Sequence, residues 1–321
     1  MTTSKIPNPA TAPSPSRRRV LATGASLPVA AALGAGAVRP AFAQDAAMGE
    51  NAKQRGFALG EFSVATLLAG TRTSTDDPQG IFGMNVSQEE FSEVSEANFI
   101  PADMNQFFFT PTVVTAGGET ILFDTGLNPE GITGPLGEAG IAPEDVDIVV
   151  LTHMHGDHIG GLSGESGTPT FANARYVTGQ TEFDAWAKMD NEGFEAKVRP
   201  LAEKMTFIGD GDSVVSGVTA MAAHGHTPGH MAYMLESGGE RLLLVADTAN
   251  HYVWSLAYPE WEVKFDMDKE AAAATRKRLL GMLAAERIPF VGYHMPFPGT
   301  GFVETRGEGG FRYVPTSYQM M

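Results

Sequence analysis

The stretch Leu151-Thr152-His153-Met154-His155-Gly156-Asp157-His158-Ile159-Gly160-Gly161 holds three of the eight histidines in a chain of 321 residues, and its reading governs the rest. It continues Asp147 to Leu151, an apolar run that reads as a buried strand, and strand ends are where folds of mixed strands and helices place their chemistry. Alternate positions point to one side of an extended chain, so His153 and His155 face a common point. Asp157 and His158 follow on a turn that Gly156, Gly160 and Gly161 allow to fold back tightly, offering a second pair to a neighbouring point. Imidazole nitrogen and carboxylate oxygen suit zinc, manganese, iron or cobalt far better than calcium, with zinc the default. The spaced pattern His-x-His-x-Asp-His arises by chance in such a chain on the order of one time in a thousand.

Further donors stand at other strand ends. Val218 to Ala222, Met231 to Leu235, Arg241 to Val245 and Pro289 to Tyr293 read as strands. The first leads into Ala223-His224-Gly225-His226-Thr227-Pro228-Gly229-His230, the third into Asp247-Thr248 and the last into His294-Met295-Pro296. On spacing alone His224, His226 and His230 compete for one place. Upstream, Phe107 to Thr115 and Thr120 to Phe123 flank Ala116-Gly117-Gly118-Glu119 as a hairpin whose second arm runs into Asp124-Thr125-Gly126. Phe57 to Leu68 nearly alternates apolar and polar residues, and Ser74 to Asn98 reads as a long polar surface loop. Gln180 to Lys188 and Phe194 to Met205 have helical character. Asp268 to Arg287 is the clearest helix, capped by Asp268 and stopped by Pro289.

Composition narrows the chemistry. The chain has no cysteine, which excludes disulfide frameworks, thiolate zinc sites and cysteine nucleophiles. Lys and Arg number 22 against 38 Asp and Glu, a formal charge of -16, so a polyanion meets an unfavourable field and no nucleic-acid partner is expected. Residues 1–43 read as an export signal: a Pro/Ser/Thr-rich start, Ser16-Arg17-Arg18-Arg19-Val20-Leu21, an Ala/Gly/Leu/Val stretch to Val38, and Ala41-Phe42-Ala43 before a cut at Gln44. The paired arginines resemble a twin-arginine leader, which predicts a periplasmic protein of residues 44–321. Pro28, Gly34 and Gly36 interrupt the apolar segment, which is too short and too weakly hydrophobic to span, so no membrane anchor is expected. The leader carries five basic and no acidic residues, leaving 17 basic against 38 acidic and a charge of -21 in the mature chain.

From about Phe57 to the C-terminus, strand followed by ligand recurs through Phe123-Asp124-Thr125-Gly126, the His-x-His-x-Asp-His loop, Gly225-His226-Thr227-Pro228-Gly229-His230, Asp247 and His294. This resembles the metallo-β-lactamase superfamily. Within it, Ala223 to His230, Phe297-Pro298-Gly299-Thr300-Gly301 and Phe311-Arg312-Tyr313-Val314-Pro315-Thr316-Ser317-Tyr318 look like the methyl parathion hydrolase branch. The resemblance implies an α/β fold, a four-layer αβ/βα sandwich of two sheets between outer helices, with the active site at one sheet edge. It also implies two divalent metal ions, most simply zinc. His153, His155 and His226 would hold one ion, Asp157, His158 and His294 the other, and Asp247 would bridge the two at roughly 3.5–4 Å. Asp157 and Asp247 are the carboxylates it assigns to catalysis, a metal-bridging hydroxide is its nucleophile, and Asp124 orients the metal loop without ligating.

The resemblance implies a hydrolase of neutral esters, lactones or organophosphate triesters. Phe108, Trp186 and Phe297 are candidates for an apolar substrate wall, shaped also by the Ser74 to Asn98 loop. Acyl-homoserine lactone lactonases are the main alternative, although many carry a tyrosine three residues after the bridging aspartate, where this chain has Asn250 and, nearby, Tyr252. A non-catalytic periplasmic metal-binding protein is a second alternative. β-Lactamases with a cysteine ligand are excluded, and flavodiiron relatives are disfavoured by His155 and by the lack of residues for a flavin domain. The resemblance favours a homodimer acting on a small neutral molecule. His224 and His230 read as hydrogen-bonded structural histidines, and His251 as either lining the pocket or exposed.

Overall fold

The alternation within Phe57 to Leu68 resolves into a hairpin, in which β1 (Gln54–Leu59) and β2 (Phe62–Leu67) pair antiparallel. Gly60 turns it with a φ of 56°, and a Cβ there would lie 2.3 Å from the Ser237 carbonyl oxygen, so no other residue fits. The computed structural model describes residues 52–316; the expected export signal and Ser317-Tyr318 lie outside them.

Next in the chain, β3 (Gly70–Ser74) and β4 (Asn105–Phe109) form a separate two-stranded ribbon. The stretch between them reads from sequence as a loop, but it contains α1 (Gln88–Ala97). Ser87 caps this helix by accepting the Glu90 N–H at 3.1 Å. Only Phe91 and Ser95 of the helix are buried, too few to write a visible helical period.

Two larger sheets carry the rest. In the first, β1, β2, β5 (Thr112–Ala116), β6 (Glu119–Phe123), β7 (Ile148–Leu151), β8 (Arg175–Gly179) and β9 (Met205–Ile208) lie in that order and run parallel from β6 onward. Along this sheet's connections lie α2 (Pro129–Glu138), the single turn α3 (Gly156–Ile159), α4 (Gln180–Trp186) and α5 (Glu192–Lys197). The second sheet follows chain order: β10 (Ser213–Val215), β11 (Val218–Ala222), β12 (Met231–Ser237), β13 (Glu240–Ala246), β14 (Phe290–Gly292), β15 (Thr300–Thr305) and β16 (Phe311–Pro315). It is antiparallel except between β13 and β14, which α6 (Lys269–Glu286) connects.

Burial defines the layers. Val64, Ile121 and Val150 of the first sheet pack against Val218, Tyr233 and Leu244 of the second. On the outer face of the first sheet, Leu122, Val149 and Tyr176 meet Ile132 and Leu136 of α2 and Phe194 of α5. On the outer face of the second, Leu243, Val245 and Phe290 meet Leu279, Leu280 and Leu283 of α6, each leucine contributing roughly 1.5–3 kcal/mol. The result is the four-layer αβ/βα sandwich. β7 is apolar at every position because both of its faces are covered. Among the described residues no helix is long and apolar enough to cross a membrane.

The start of α6 seats directly on the loop after β11. Asp268 caps the helix by accepting the Ala271 N–H at 3.0 Å and donates its own N–H to the Gly225 carbonyl at 2.9 Å. Gly225 has a φ of 123°, and a Cβ on it would lie 2.1 Å from the Ala272 backbone nitrogen. Gly225→Ala should therefore cost about 3 kcal/mol and lower the melting temperature by on the order of 10 °C. An unchanged thermal melt would show that the helix and loop are not in this contact.

Candidate metal centre

The C-terminal ends of β7, β11, β13 and β14 converge on one edge of the sandwich, where the Met231 N–H donates across to the Thr152 carbonyl at 3.1 Å. His153 and His155 leave β7, His226 follows β11, Asp247 follows β13 and His294 follows β14. His153, His155, His226 and Asp247 form one group whose donor atoms lie within 4.8 Å of one another, and Asp157, His158 and His294 form a second. Asp247 lies between them: Oδ2 is 3.2 Å from His226 Nε2 and 3.1 Å from His294 Nε2, and Oδ1 is 3.1 Å from His158 Nε2. Asp157 Oδ2 is 3.4 Å from His294 Nε2 and 3.7 Å from His158 Nε2. All seven ligands expected from the sequence thus meet at one place.

Hydrogen bonding at the far side of each ring decides what the near side offers. His294 Nδ1–H donates to the Phe108 carbonyl at 2.8 Å, and His158 and His226 set Nδ1 against Asp124 at 2.8 Å and Asp266 at 2.9 Å. His153 Nδ1 is 3.0 Å from Thr152 Oγ1, whose own proton goes to Asp124 Oδ2 at 2.8 Å. With Nδ1 the donor, each Nε2 turns a lone pair toward carboxylate oxygen or another imidazole nitrogen; His155 Nδ1 lies 3.1 Å from His153 Nε2 and 2.9 Å from His226 Nε2. His158 Nε2 and Asp247 Oδ1 are buried and make no hydrogen bond. Lone pairs so arranged repel unless cations stand among them, and this nitrogen and oxygen set fits zinc or a similar first-row ion in each group.

Protons compete for the same nitrogens. Burial drives His226 down, but hydrogen bonds and charge from Asp247 and Asp266 overcome it and lift the imidazole to about 9. Burial likewise works against an ionised Asp247, yet His294 and His158 hold it well below the usual carboxylate range. Burial, helped by neighbouring His226, pushes His155 down to about 3.

Several residues that fix the site carry no local sequence signal. Glu182, fully buried in α4, accepts the Met154 N–H at 3.1 Å, the Thr227 hydroxyl at 2.8 Å and the Gly229 N–H at 2.8 Å, so one carboxylate ties the loop after β7 to the loop after β11. Asp266 is locked by the buried Arg276 of α6, whose Nη1–H donates to Oδ2 at 2.7 Å. Asn250 donates from Nδ2 to Asp247 Oδ2 at 2.9 Å, and Tyr293 donates to the Asp157 carbonyl at 2.5 Å. Spacing could not reveal Asp266, which lies forty positions beyond His226 and reaches it only through the fold.

The remaining histidines separate cleanly. His230 Nε2 accepts the Asp247 N–H at 3.1 Å while Nδ1–H donates to the Ala223 carbonyl at 3.0 Å, a structural role. His224 lies outside both groups. His251 is buried against Trp254, with ring centroids 4.2 Å apart, so it is not an exposed loop residue. Asp124 holds Thr152 and His158 and belongs to neither ligand group.

A cavity of about 390 Å³ opens on the cluster, lined by Phe107, Phe109, Leu127 and Phe265, with Arg72 as its cation. None of the three wall residues expected from sequence lines it. Trp186 is packed in the outer core with its ring edge-on to His155, Phe108 lines a neighbouring cavity, and Phe297 lines neither. The Ser74 to Asn98 segment also stays away; the wall comes from the β3–β4 ribbon and the loops at Leu127 and Phe265.

Comparison with known proteins agrees with this geometry. The metallo-β-lactamase superfamily model matches residues 110–309. An N-acyl homoserine lactonase of Bacillus cereus is 30% identical over 160 residues, a match spanning 49% of this chain and 60% of the relative. One from a Bacillus species is 29% identical over 164 residues, covering 50% of this chain and 61% of its own. Among solved structures, AidC, a dizinc quorum-quenching lactonase in complex with a product, superposes with a TM-score of 0.76 at 25% identity, covering 84% of this chain and 100% of that one. The hydrolase AbOPH gives the same TM-score and the same coverage at 23% identity, a likeness of fold alone. With the family matched over more than half its length and the ligand groups gathered at the expected sheet edge, the chain belongs to the metallo-β-lactamase superfamily.

Proposed function

We propose that the protein is a dinuclear metal hydrolase of neutral lactones, with N-acyl homoserine lactones its foremost substrates and zinc its metal. The observation that carries this reading is Asp247, set between two histidine groups at the floor of a largely apolar cavity. When bound, two divalent ions supply a water nucleophile at neutral pH and polarise the scissile carbonyl. The chain's own part is to hold those ions and position the substrate. Asn250 and His226 fix Asp247 Oδ2. Asp157, whose side chain is 23% exposed, is the carboxylate placed to pass a proton toward solvent. Phe107, Phe109, Leu127 and Phe265 give an apolar substrate an apolar wall.

Lactonase relatives support the lactone reading over the broader ester reading. Asn250 stands where many such lactonases have tyrosine, and Tyr252 lines the neighbouring cavity rather than the metal cavity. A second reading, hydrolysis of neutral aryl esters and phosphotriesters, is favoured by the aromatic wall and by the resemblance of Ala223 to His230, Phe297 to Gly301 and the C-terminal stretch to the methyl parathion hydrolase branch. The acidic balance weighs against nucleic acid under either reading.

Removing Asp247 takes a ligand from both groups. Asp247→Ala should lower bound metal below two ions per chain and reduce lactone turnover at least a hundredfold, read by elemental analysis and steady-state kinetics. Two retained metals with normal turnover would overturn the assignment. Across substrates, N-hexanoyl homoserine lactone should be turned over fastest, an aryl acetate next and a neutral aryl phosphotriester slowest. Chelator should abolish all three activities and zinc restore them. A fully metallated protein inert toward these three but active on a phosphate diester would place it in another branch of the fold.

A further inference from the structure

Beside the metal cavity lies a second one, of about 270 Å³, and His294 lines both. Met104, Phe108, Tyr252 and Trp254 give it an apolar lining, and the polar residues in that lining include His251 and Asn105. His251 is 8% exposed, and its Nδ1 accepts the N–H groups of Val253 and Trp254, each at 3.1 Å. The ring proton must therefore sit on Nε2, for which no protein acceptor is present among the described residues. Stacking on Trp254 at 4.2 Å and on Tyr252 at 4.6 Å holds the ring in place. Burial also drives His251 down to about 3, so it remains a neutral donor. Asn105, 4% exposed, has neither side-chain nitrogen nor oxygen in a hydrogen bond. Both atoms are closed off from solvent, so Asn105 supplies wall and His251 the donor.

We propose that this cavity is a substrate subsite that takes an apolar tail through its amide, with the His251 Nε2–H donating to the tail's carbonyl oxygen. The proposal rests on the lactonase reading and deepens it, because an acyl amide next to a lactone ring carries the required carbonyl. Small-molecule sites usually occupy about 300–1,000 Å³, so a cavity just under that range suits a short acyl chain rather than a polymer. The feature recognised is a neutral acceptor. An imidazole that stays uncharged can pair with a neutral carbonyl without leaving an unmatched charge buried, which fits a neutral substrate.

The test compares two lactones in the zinc-loaded enzyme: N-hexanoyl homoserine lactone, which has the amide, and γ-caprolactone, which lacks it. His251→Phe keeps a flat ring against Trp254 but removes the donor. Met104→Trp fills the cavity from a different segment of the chain and leaves His251 untouched, so it carries the test if the first variant fails to fold. Each should raise KM for the amide-bearing lactone about tenfold relative to KM for the amide-free one, the effect of losing one hydrogen bond, with the ratio of the two kcat values steady. Equal KM shifts for both lactones, or no shift, would overturn the subsite. Calorimetric titration with N-methylhexanamide gives an independent reading, because the amide alone should bind the wild-type protein about tenfold tighter than either variant. If wild-type enzyme turns over neither lactone, the lactonase reading falls, and the amide titration still decides the subsite.

Discussion

Asp247 is 3% exposed and lies between five imidazoles, in a position where an uncompensated carboxylate costs several kcal/mol. The surrounding rings have committed their outer N–H groups to Asp124, Asp266, Thr152 and the Phe108 carbonyl, so they meet Asp247 with lone pairs. Only added positive charge, as protons or as metal ions, makes the arrangement favourable. The rise of His226 to about 9 is the protonic answer, and the paired ligand groups are built for the metallic one.

That demand shapes the structure outward from the site. Ligands from β7, β11, β13 and β14 must stop at the same edge, so the two sheets are bound together there and their loops have little slack. Gly160 packs so closely that a Cβ would lie 2.1 Å from the Leu127 carbonyl oxygen, and one on Gly229 would lie 2.1 Å from the Glu182 backbone nitrogen. Glu182 then clamps two metal loops at once, and its own carboxyl, raised by burial, is drawn back by the hydrogen bonds it accepts. Arg276 and Asp266 do the same for His226 from the α6 side. Rigid support of this kind keeps like-charged or lone-pair-bearing groups together between binding events.

The clustering of these residues was legible in the sequence because their spacing is local: His153, His155, Asp157 and His158 fall within six positions, and His226, Asp247 and His294 each follow an apolar strand. The sandwich was legible for the same reason, since strand ends and ligands alternate along the chain. Helix α1 was not, because ten residues that bury only Phe91 and Ser95 look like a polar loop. Nor was the cavity wall. Trp186 was a reasonable choice by size, yet it points into the outer core, whereas Phe107, Phe109 and Phe265 reach the site through strand register and loop packing that no spacing records. Asp266 and Glu182 act across the fold, so their roles appear only once three-dimensional neighbours are known.

Strand β4 borders both cavities beside the candidate metal centre. Phe107 and Phe109 set their rings edge-on to His294, with centroids 5.5 and 5.6 Å away, and line the metal cavity; between them, the Phe108 carbonyl accepts the His294 Nδ1–H and its residue lines the second cavity. One strand therefore orients a ligand-bearing ring and shapes the space on either side of it. Because β4 pairs only with β3, in a ribbon apart from both large sheets, its side chains can vary without disturbing the sandwich core. The two ligand groups are set by the sheet edge, whereas the space beside them is shaped by this ribbon and by the turn that carries His251.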